Sequence, residues 1–190
     1  MDLPSCRSTT FGGNMITLVW QHVSQGALRG VLQVMGASLL LAVFAQISLP
    51  LIPVPVTGQT FGVMLIAALL GKEKALLATL LYMAEAAAGL PVLAHQSGGI
   101  HALTGVTGGY IFGFSVQAYL IGLSFERRLP APFLWGSLVQ LILGTAWLAV
   151  FIGFEKALFV GCLPFIPGEL MKIALATTWI KKYANSSLQR

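Results

Sequence analysis

The sequence predicts an all-α integral membrane protein of six transmembrane helices, and three observations carry that prediction. Of its 190 residues, 56% are hydrophobic and only 9% charged, whereas a soluble domain averages about 25% charged residues. Such a chain cannot cover a water-facing surface, and its mean hydropathy is +0.83. The apolar residues also come in continuous runs rather than in strict alternation, which argues against a bacterial-type barrel. Finally, a helix crossing the hydrocarbon needs roughly 20 apolar residues, so the length allows about six crossings joined by short connections.

Residues 1–27 are mixed and weakly apolar, without the basic start, apolar block and small-residue cleavage site of a signal peptide. They read as an N-terminal cytoplasmic tail with an interfacial piece near Ile16 to Val23, and Met15 is an alternative start. Residues 28–182 form the six-helix domain, and residues 183–190 a C-terminal cytoplasmic tail. The first span is expected over Leu28 to Leu49. Gln46 to Thr60 follows with Pro50, Pro53 and Pro55, whose fixed φ and missing amide protons predict a stiff, extended loop. The second span, Thr60 to Leu70, is short and ends at the charged turn Gly71-Lys72-Glu73-Lys74. The third runs from Ala75 to Leu93, interrupted at Gly89-Leu90-Pro91. The fourth covers Thr107 to Phe125 and the fifth Phe133 to Phe154. An apolar connector with Pro164 and Pro167 dips into the interface before the sixth, which starts near Pro167 and ends by Trp179.

Orientation follows from the cations. With the N-terminus inside, Arg7, Arg29, Lys72, Lys74, Arg127, Arg128, Lys181, Lys182 and Arg190 all fall on the cytoplasmic side, and the outer loops carry only Lys156. That asymmetry obeys the positive-inside rule and puts both termini in the cytoplasm. The net charge of +5 is therefore a topology signal, and no nucleic-acid partner is expected. Cys6 and Cys162 fall on opposite sides, so no disulfide is expected. All three elaborate loops, around Gln46 to Thr60, Leu93 to Thr107 and Glu155 to Gly168, share the outer face, which suits a receptor for something outside.

The stretch from Gly89 to Phe114 is the most unusual. It breaks an apolar run, passes through His95, Gln96, Ser97 and His101, and re-enters apolar sequence through Gly105, Gly109 and Gly113. Glycines four apart line one side of a helix and admit either another backbone or a ligand. Glu169 and Lys172, three apart near the start of the sixth span, share a face. Ionisable groups inside a bilayer are costly and suggest a function with a named partner; the competing reading is an ion pair that pins a helix end. Glu85, in mid-span, reads as a carboxyl hydrogen-bonded between helices, with a proton relay as the alternative. His95 and His101 lack neighbouring Cys or Asp, so no metal site is expected. Tyr110 closes a pocket or anchors at an interface, and Trp135 and Trp179 read as interfacial anchors. Ser38 and Ala42, small residues four apart in the first span, permit helix docking. No phosphate-binding G-x-x-x-x-G-K-[ST] loop or G-x-S-x-G element is present, so concentrating a solute would need a partner or an ion gradient.

The segments Q-I-S-L-P-L-I-P-V-P-V-T-G-Q-T (46–60), G-L-P-V-L-A (89–94), S-G-G (97–99), T-G-G-Y (107–110) with Gly113-Phe114, and P-F-I-P-G-E-L-M-K (164–172) together resemble the BioY family. Its members are the biotin-specific, substrate-binding S-components of energy-coupling-factor (ECF) vitamin transporters. The resemblance implies an ECF S-component bundle of six helices with a biotin pocket near the outer surface. It is built from the first, third and fifth loops and the last three helices. The resemblance also implies import only with an ECF transmembrane coupling protein and two ABC-type ATPases, biotin being the transported ligand and no cofactor being needed. Carried over, Glu169 and Lys172 match the acid–lysine pair, His95 a polar loop position, and Gln46, Thr57 and Gln59 the capping loop. Gln96, Gly98, Gly99 and Tyr110 complete the expected substrate site, with Ser38 and Ala42 docking the coupling protein. Three departures stand out: Glu169 replaces the usual Asp, Val106 replaces a proline, and Ser38/Ala42 only approximates Ala-x-x-x-Ala. The alternatives are an S-component for another vitamin, a self-sufficient ion-coupled carrier, and an intramembrane enzyme using Glu85, His95 or His101.

Overall fold

The computed structural model describes the backbone of residues 13–188 and the side chains of residues 26–182. Cys6 and the Met1 alternative to Met15 therefore lie outside the described residues. The chain divides into two units, Met1–Leu32 and Gln33–Arg190. The first contributes the early turns of a long helix, α1 (Gly13–Gln46), which begins inside the segment expected to be a tail. Everything that follows concerns the second unit.

After α1, two short strands, β1 (Ser48–Leu49) and β2 (Val56–Thr57), pair antiparallel and close the proline-rich loop into a hairpin, with the Ile52–Pro53 peptide cis. The extended loop expected from the prolines thus folds back on itself. The next helix, α2 (Gln59–Ala87), is broken at Gly71, whose φ of 77° only glycine adopts without strain. The break is a reversal: Gln59 donates to the Tyr82 hydroxyl at 2.6 Å, although one lies twelve residues before Gly71 and the other eleven after it. The two arms of α2 therefore run antiparallel, in place of the second and third expected spans.

A 3-10 turn (Ala94–Gln96) and the one-turn α3 (Ile100–Thr104) fill the expected polar loop. Then come α4 (Gly108–Glu126) and α5 (Pro132–Ile152). The connector expected to dip is itself helical, as α6 (Phe154–Ala157) followed by a π-helical turn (Leu158–Cys162). The last helix, α7 (Phe165–Leu188), starts two residues earlier than expected. Pro167 sits in its first turn, where a missing amide proton costs nothing.

Three described segments, Gly26–Gln46, Gly108–Glu126 and Pro132–Ile152, are long and apolar enough to cross a membrane. The pair Phe154–Cys162 and Phe165–Lys182, bent by 41°, makes a fourth if it counts as one broken span rather than a re-entrant loop. Large apolar side chains such as Leu39, Val43, Ile142 and Val150 face outward, as lipid-facing positions do. Inside, Leu41, Val63, Met64, Tyr82, Phe114 and Ile121 form one apolar cluster. Tyr110, Leu141, Leu148 and Phe165 form another.

The two faces of the α4–α5 seam depend on glycine. A Cβ on Gly109 would lie 2.1 Å from Trp147 Cβ, and one on Gly113 would lie 3.1 Å from Gln140 Cγ. Two of the three spaced glycines thus admit the neighbouring helix rather than a ligand. Gly105 caps α3 and is not on that helix at all. At the opposite end a Cβ on Gly122 would lie 2.4 Å from the Lys72 backbone nitrogen, so α4 packs against the reversal of α2 itself. There Lys72 meets Glu126 at 2.7 Å, and the carboxylate holds the ammonium's pKa above its usual range.

Candidate functional site

A cavity of about 210 Å³ opens where the two apolar clusters meet, at the end of the bundle that carries the β1–β2 hairpin and α3. A single ordered water needs only about 10–15 Å³, so the space suits a small organic molecule. Each wall comes from a different element. Val54, Pro55 and Thr57 descend from the hairpin, and Gln59 and Thr60 from the start of α2. Leu93 to His95, with Ser97, close one side. Tyr110, Ile111 and Phe114 line the α4 wall, Gln140 stands on α5, and Phe165, Glu169 and Lys172 project from α7.

The aromatic wall is rigid. Tyr110 and Phe165 stack with centroids 5.4 Å apart and planes 15° from parallel. The Tyr110 ring lies over Gly144, where a Cβ would come within 2.1 Å, and its hydroxyl donates to the Gly161 carbonyl at 2.7 Å. Gly161 belongs to the π-helical turn, an irregularity that recurs at functional sites because it re-aims backbone groups. Tyr110 therefore lines the cavity as a fixed aromatic side chain whose proton is already used.

The polar wall centres on three buried residues. The Lys172 ammonium donates to Glu169 Oε1 at 2.8 Å and to Thr60 Oγ1 at 2.7 Å. The Thr60 hydroxyl passes its own proton to the same Glu169 oxygen at 2.6 Å. Glu169 and Lys172 are 5% and 9% exposed, which makes any unused valence expensive. Two valences are unused. Glu169 Oε2 is fully buried and has no hydrogen-bond partner among the described residues, and the ammonium has three protons of which two are spent. The pair at the cavity wall thus carries one unmatched acceptor oxygen and one uncommitted proton.

Of the residues expected to bind substrate, Glu169, Lys172, His95, Tyr110, Thr57 and Gln59 line this cavity. Thr57 donates to Gln59 Oε1 at 2.7 Å, and Gln59 donates onward to Tyr82, so these two are spent on fixing the hairpin to α2. Gln46, Gln96, Gly98 and Gly99 do not line it. Gln46 donates to the Leu93 carbonyl at 3.1 Å. A Cβ on Gly98 would strike the Leu90 carbonyl, Gly99 has φ 94°, and its amide bonds to Ala86. Their work is to hold the loop that forms the wall. Gln96, like His95, takes a left-handed φ of 56°, which turns the chain but leaves the Gln96 side chain outside the cavity.

Ser38 and Ala42 were expected to dock the coupling protein. Ser38 is fully buried and donates to Glu85 Oε2 at 2.5 Å, tying α1 to the second arm of α2. Ala42 is half-buried. Glu85 is thereby a carboxyl hydrogen-bonded between helices. Cys162 is a free thiol, and among the described residues no three His, Cys, Asp or Glu side chains gather as a metal cluster would need. Thr60, Phe114, Phe165 and Gln140 were missed from sequence. For Gln140 the available signal was a lone neutral polar residue interrupting an apolar run; Thr60 closes the polar stretch Thr57 to Thr60.

Residues 16–189 match the sequence model of the BioY family. The chain is 42% identical over 125 residues to the "Probable biotin transporter BioY" of Pyrococcus horikoshii, covering 66% of this chain and 77% of that one. It is 41% identical over 133 residues to the "Biotin transporter BioY" of Thermotoga maritima, with 66% and 78% covered. In structure it resembles the crystallised S-component for biotin from an ECF-type ABC transporter. The TM-score is 0.70 at 22% identity, over 85% of this chain and 93% of that one, which establishes a shared fold.

Proposed function

The chain belongs to the BioY family, and from that premise we propose that it is the high-affinity biotin-binding membrane subunit of an ECF-type vitamin importer. It captures biotin at the outer face and delivers it inward together with an ECF transmembrane coupling protein and two ABC-type ATPases. It is a transport component and not an enzyme. The single observation that carries the reading is the unpaired Glu169 Oε2 beside the spare Lys172 proton. Biotin's cyclic urea presents an N–H next to a carbonyl, the complement of that acceptor and donor. Its apolar ring edge suits the Tyr110–Phe165 face.

Orientation in the plasma membrane follows from charge. Lys72, Lys74, Arg127, Arg128, Lys181 and Lys182 lie at the end away from the cavity, which the positive-inside rule assigns to the cytoplasm. The arms of α2 then count as two crossings, and with α1, α4, α5 and α7 the helices make six. Both termini are inside.

The test is a binding isotherm on purified full-length protein with labelled biotin, competed by a panel of unlabelled vitamins. Saturable binding displaced by biotin alone is expected, and Glu169→Gln, which swaps the free acceptor for an amide, weakens it by about tenfold or more. No saturable binding, or displacement by an unrelated vitamin, overturns the reading.

A further inference from the structure

Below the Glu169–Lys172 pair, the α4–α5 seam holds a second set of buried polar groups. Gln140 is 3% exposed, lines the cavity, and its amide has no partner among the described residues. Its stem is held in place: the Gln140 Cγ lies 3.1 Å from where a Cβ on Gly113 would sit. The arrangement is reciprocal. One turn along α4, Gln117 Cγ lies 3.3 Å from where a Cβ on Gly136 would sit, and Gly136 is one turn from Gln140 on α5. Each glutamine is thus seated over the other helix's glycine, so neither stem can swing away without opening a void.

Gln117 is fully buried. Its Nε2 donates to Ser137 Oγ at 3.2 Å, and its Oε1 is left without a partner. That spare acceptor belongs to a residue one turn further along α4 than Gly113, toward Glu126. With its NH2 group turned toward α4, Gln140 would present its Oε1 to the cavity as an acceptor. Side-chain amides take the orientation that their hydrogen-bond network selects.

We propose that Gln140 is a specificity-determining residue of the site. Its carbonyl oxygen accepts one N–H of the ligand's cyclic urea while Glu169 Oε2 accepts the other and Lys172 donates to the urea oxygen. The inference rests on the biotin reading above and extends it: the recognised group has two N–H donors flanking one carbonyl, and the protein grips it from α5 as well as α7. A ligand lacking the second N–H leaves a buried acceptor unmatched, which is the source of strong discrimination between polar analogues.

The experiment measures affinity of the full-length protein for biotin, biotin methyl ester and biotin carrying a methyl on one or the other urea nitrogen. The variants are Gln140→Met, which keeps the unbranched stem over Gly113, and Gln140→Glu, which restores an acceptor oxygen. Thermal melting of the ligand-free proteins confirms that each is folded. Gln140→Met is expected to lose about 10- to 100-fold for biotin and its ester alike. It also ceases to discriminate against one of the two N-methylated analogues, while Gln140→Glu recovers part of the loss. Unchanged biotin affinity in folded Gln140→Met overturns the proposal. So does a loss confined to the free acid, because Gln140 would then read the carboxylate. A wild-type chain that binds no biotin overturns the underlying reading together with this one, whereas wild-type binding with an indifferent Gln140→Met sinks this one alone.

Discussion

Two lysine–glutamate pairs stand at opposite ends of the bundle, and they are nearly identical in length. Lys172 meets Glu169 at 2.8 Å and Lys72 meets Glu126 at 2.7 Å. What separates them is burial and completeness. The first pair's side chains are 11% and 6% exposed, the second's 26% and 45%. Around Lys72 the backbone supplies only a tight reversal at Gly71 packed on Gly122, and water completes both ions. Around Lys172 little surface is left open, Thr60 and Glu169 take two of the ammonium's protons, and one carboxylate oxygen remains unmatched. Distance alone therefore says little about role; an ion pair invites a ligand when its surroundings withhold solvent and leave a valence open.

The sharpest way to break this contrast is to make the same change at both ends. Lys172→Met strands Glu169 among apolar and aromatic groups. Removing one partner of a buried pair costs about 3–5 kcal/mol, so denaturant unfolding in detergent should show a loss of that order, and biotin binding should vanish. Lys72→Met should leave both the unfolding midpoint and the isotherm where they were, since water readily solvates the carboxylate left behind. Equal losses at the two ends would erase the distinction drawn from burial.

A smaller effect tests whether the buried pair acts alone or as a triad. Thr60 both donates to Glu169 and accepts from Lys172. Thr60→Val keeps the shape and deletes those bonds, leaving Glu169 Oε1 and the ammonium each one partner short. Losing one such hydrogen bond amounts to about 1–3 kcal/mol, or a rise of about 5- to 150-fold in the dissociation constant measured by the same isotherm. An unchanged constant would mean that Lys172 and Glu169 hold their geometry without help from α2.

The same contrast explains what could be read from sequence. The plain end was legible because its signals are local: Gly71-Lys72-Glu73-Lys74 announces a reversal, and Glu126-Arg127-Arg128 with Pro130 and Pro132 announces the next. The helices followed from uninterrupted apolar runs. Glu169 and Lys172 stood out as opposite charges one turn apart in such a run. The rest of the site is tertiary. Gln140 is one neutral residue in an apolar helix, and only Gly113 on α4, 27 positions earlier, reveals that space is kept for it. Thr60 gains meaning from α7, more than a hundred residues later. Conversely, Gln46, Gly98 and Gly99 sit in segments matching a binding motif, yet the backbone conformation of the loop at Gly98 and Gly99 depends on contacts with Ala86 and Leu90. The connector after α5 was expected to dip into the interface because of Pro164 and Pro167, and its helical turns, bent by 41° against α7, were not legible. Helical turns run up to the first, and the second falls where a helix tolerates it.

The smallest expected effect is the response to salt, and it bears on the same distinction between the two ends. The screening length falls from about 10 Å at 0.1 M to about 3 Å at 1 M ionic strength, and it acts on charges that ions can approach. The Lys72–Glu126 pair and the neighbouring Arg127 and Arg128 are open to such ions, whereas the cavity pair is enclosed by Thr60, Tyr110 and Phe165. Biotin itself carries a carboxylate, so recognition through exposed cations would weaken markedly as salt rises. Recognition through the urea, by an acceptor and a donor already desolvated, would not. The dissociation constant should therefore change by less than about twofold between 0.1 and 1 M sodium chloride. A tenfold weakening over that range would move the decisive contact out of the cavity and onto a solvated charge.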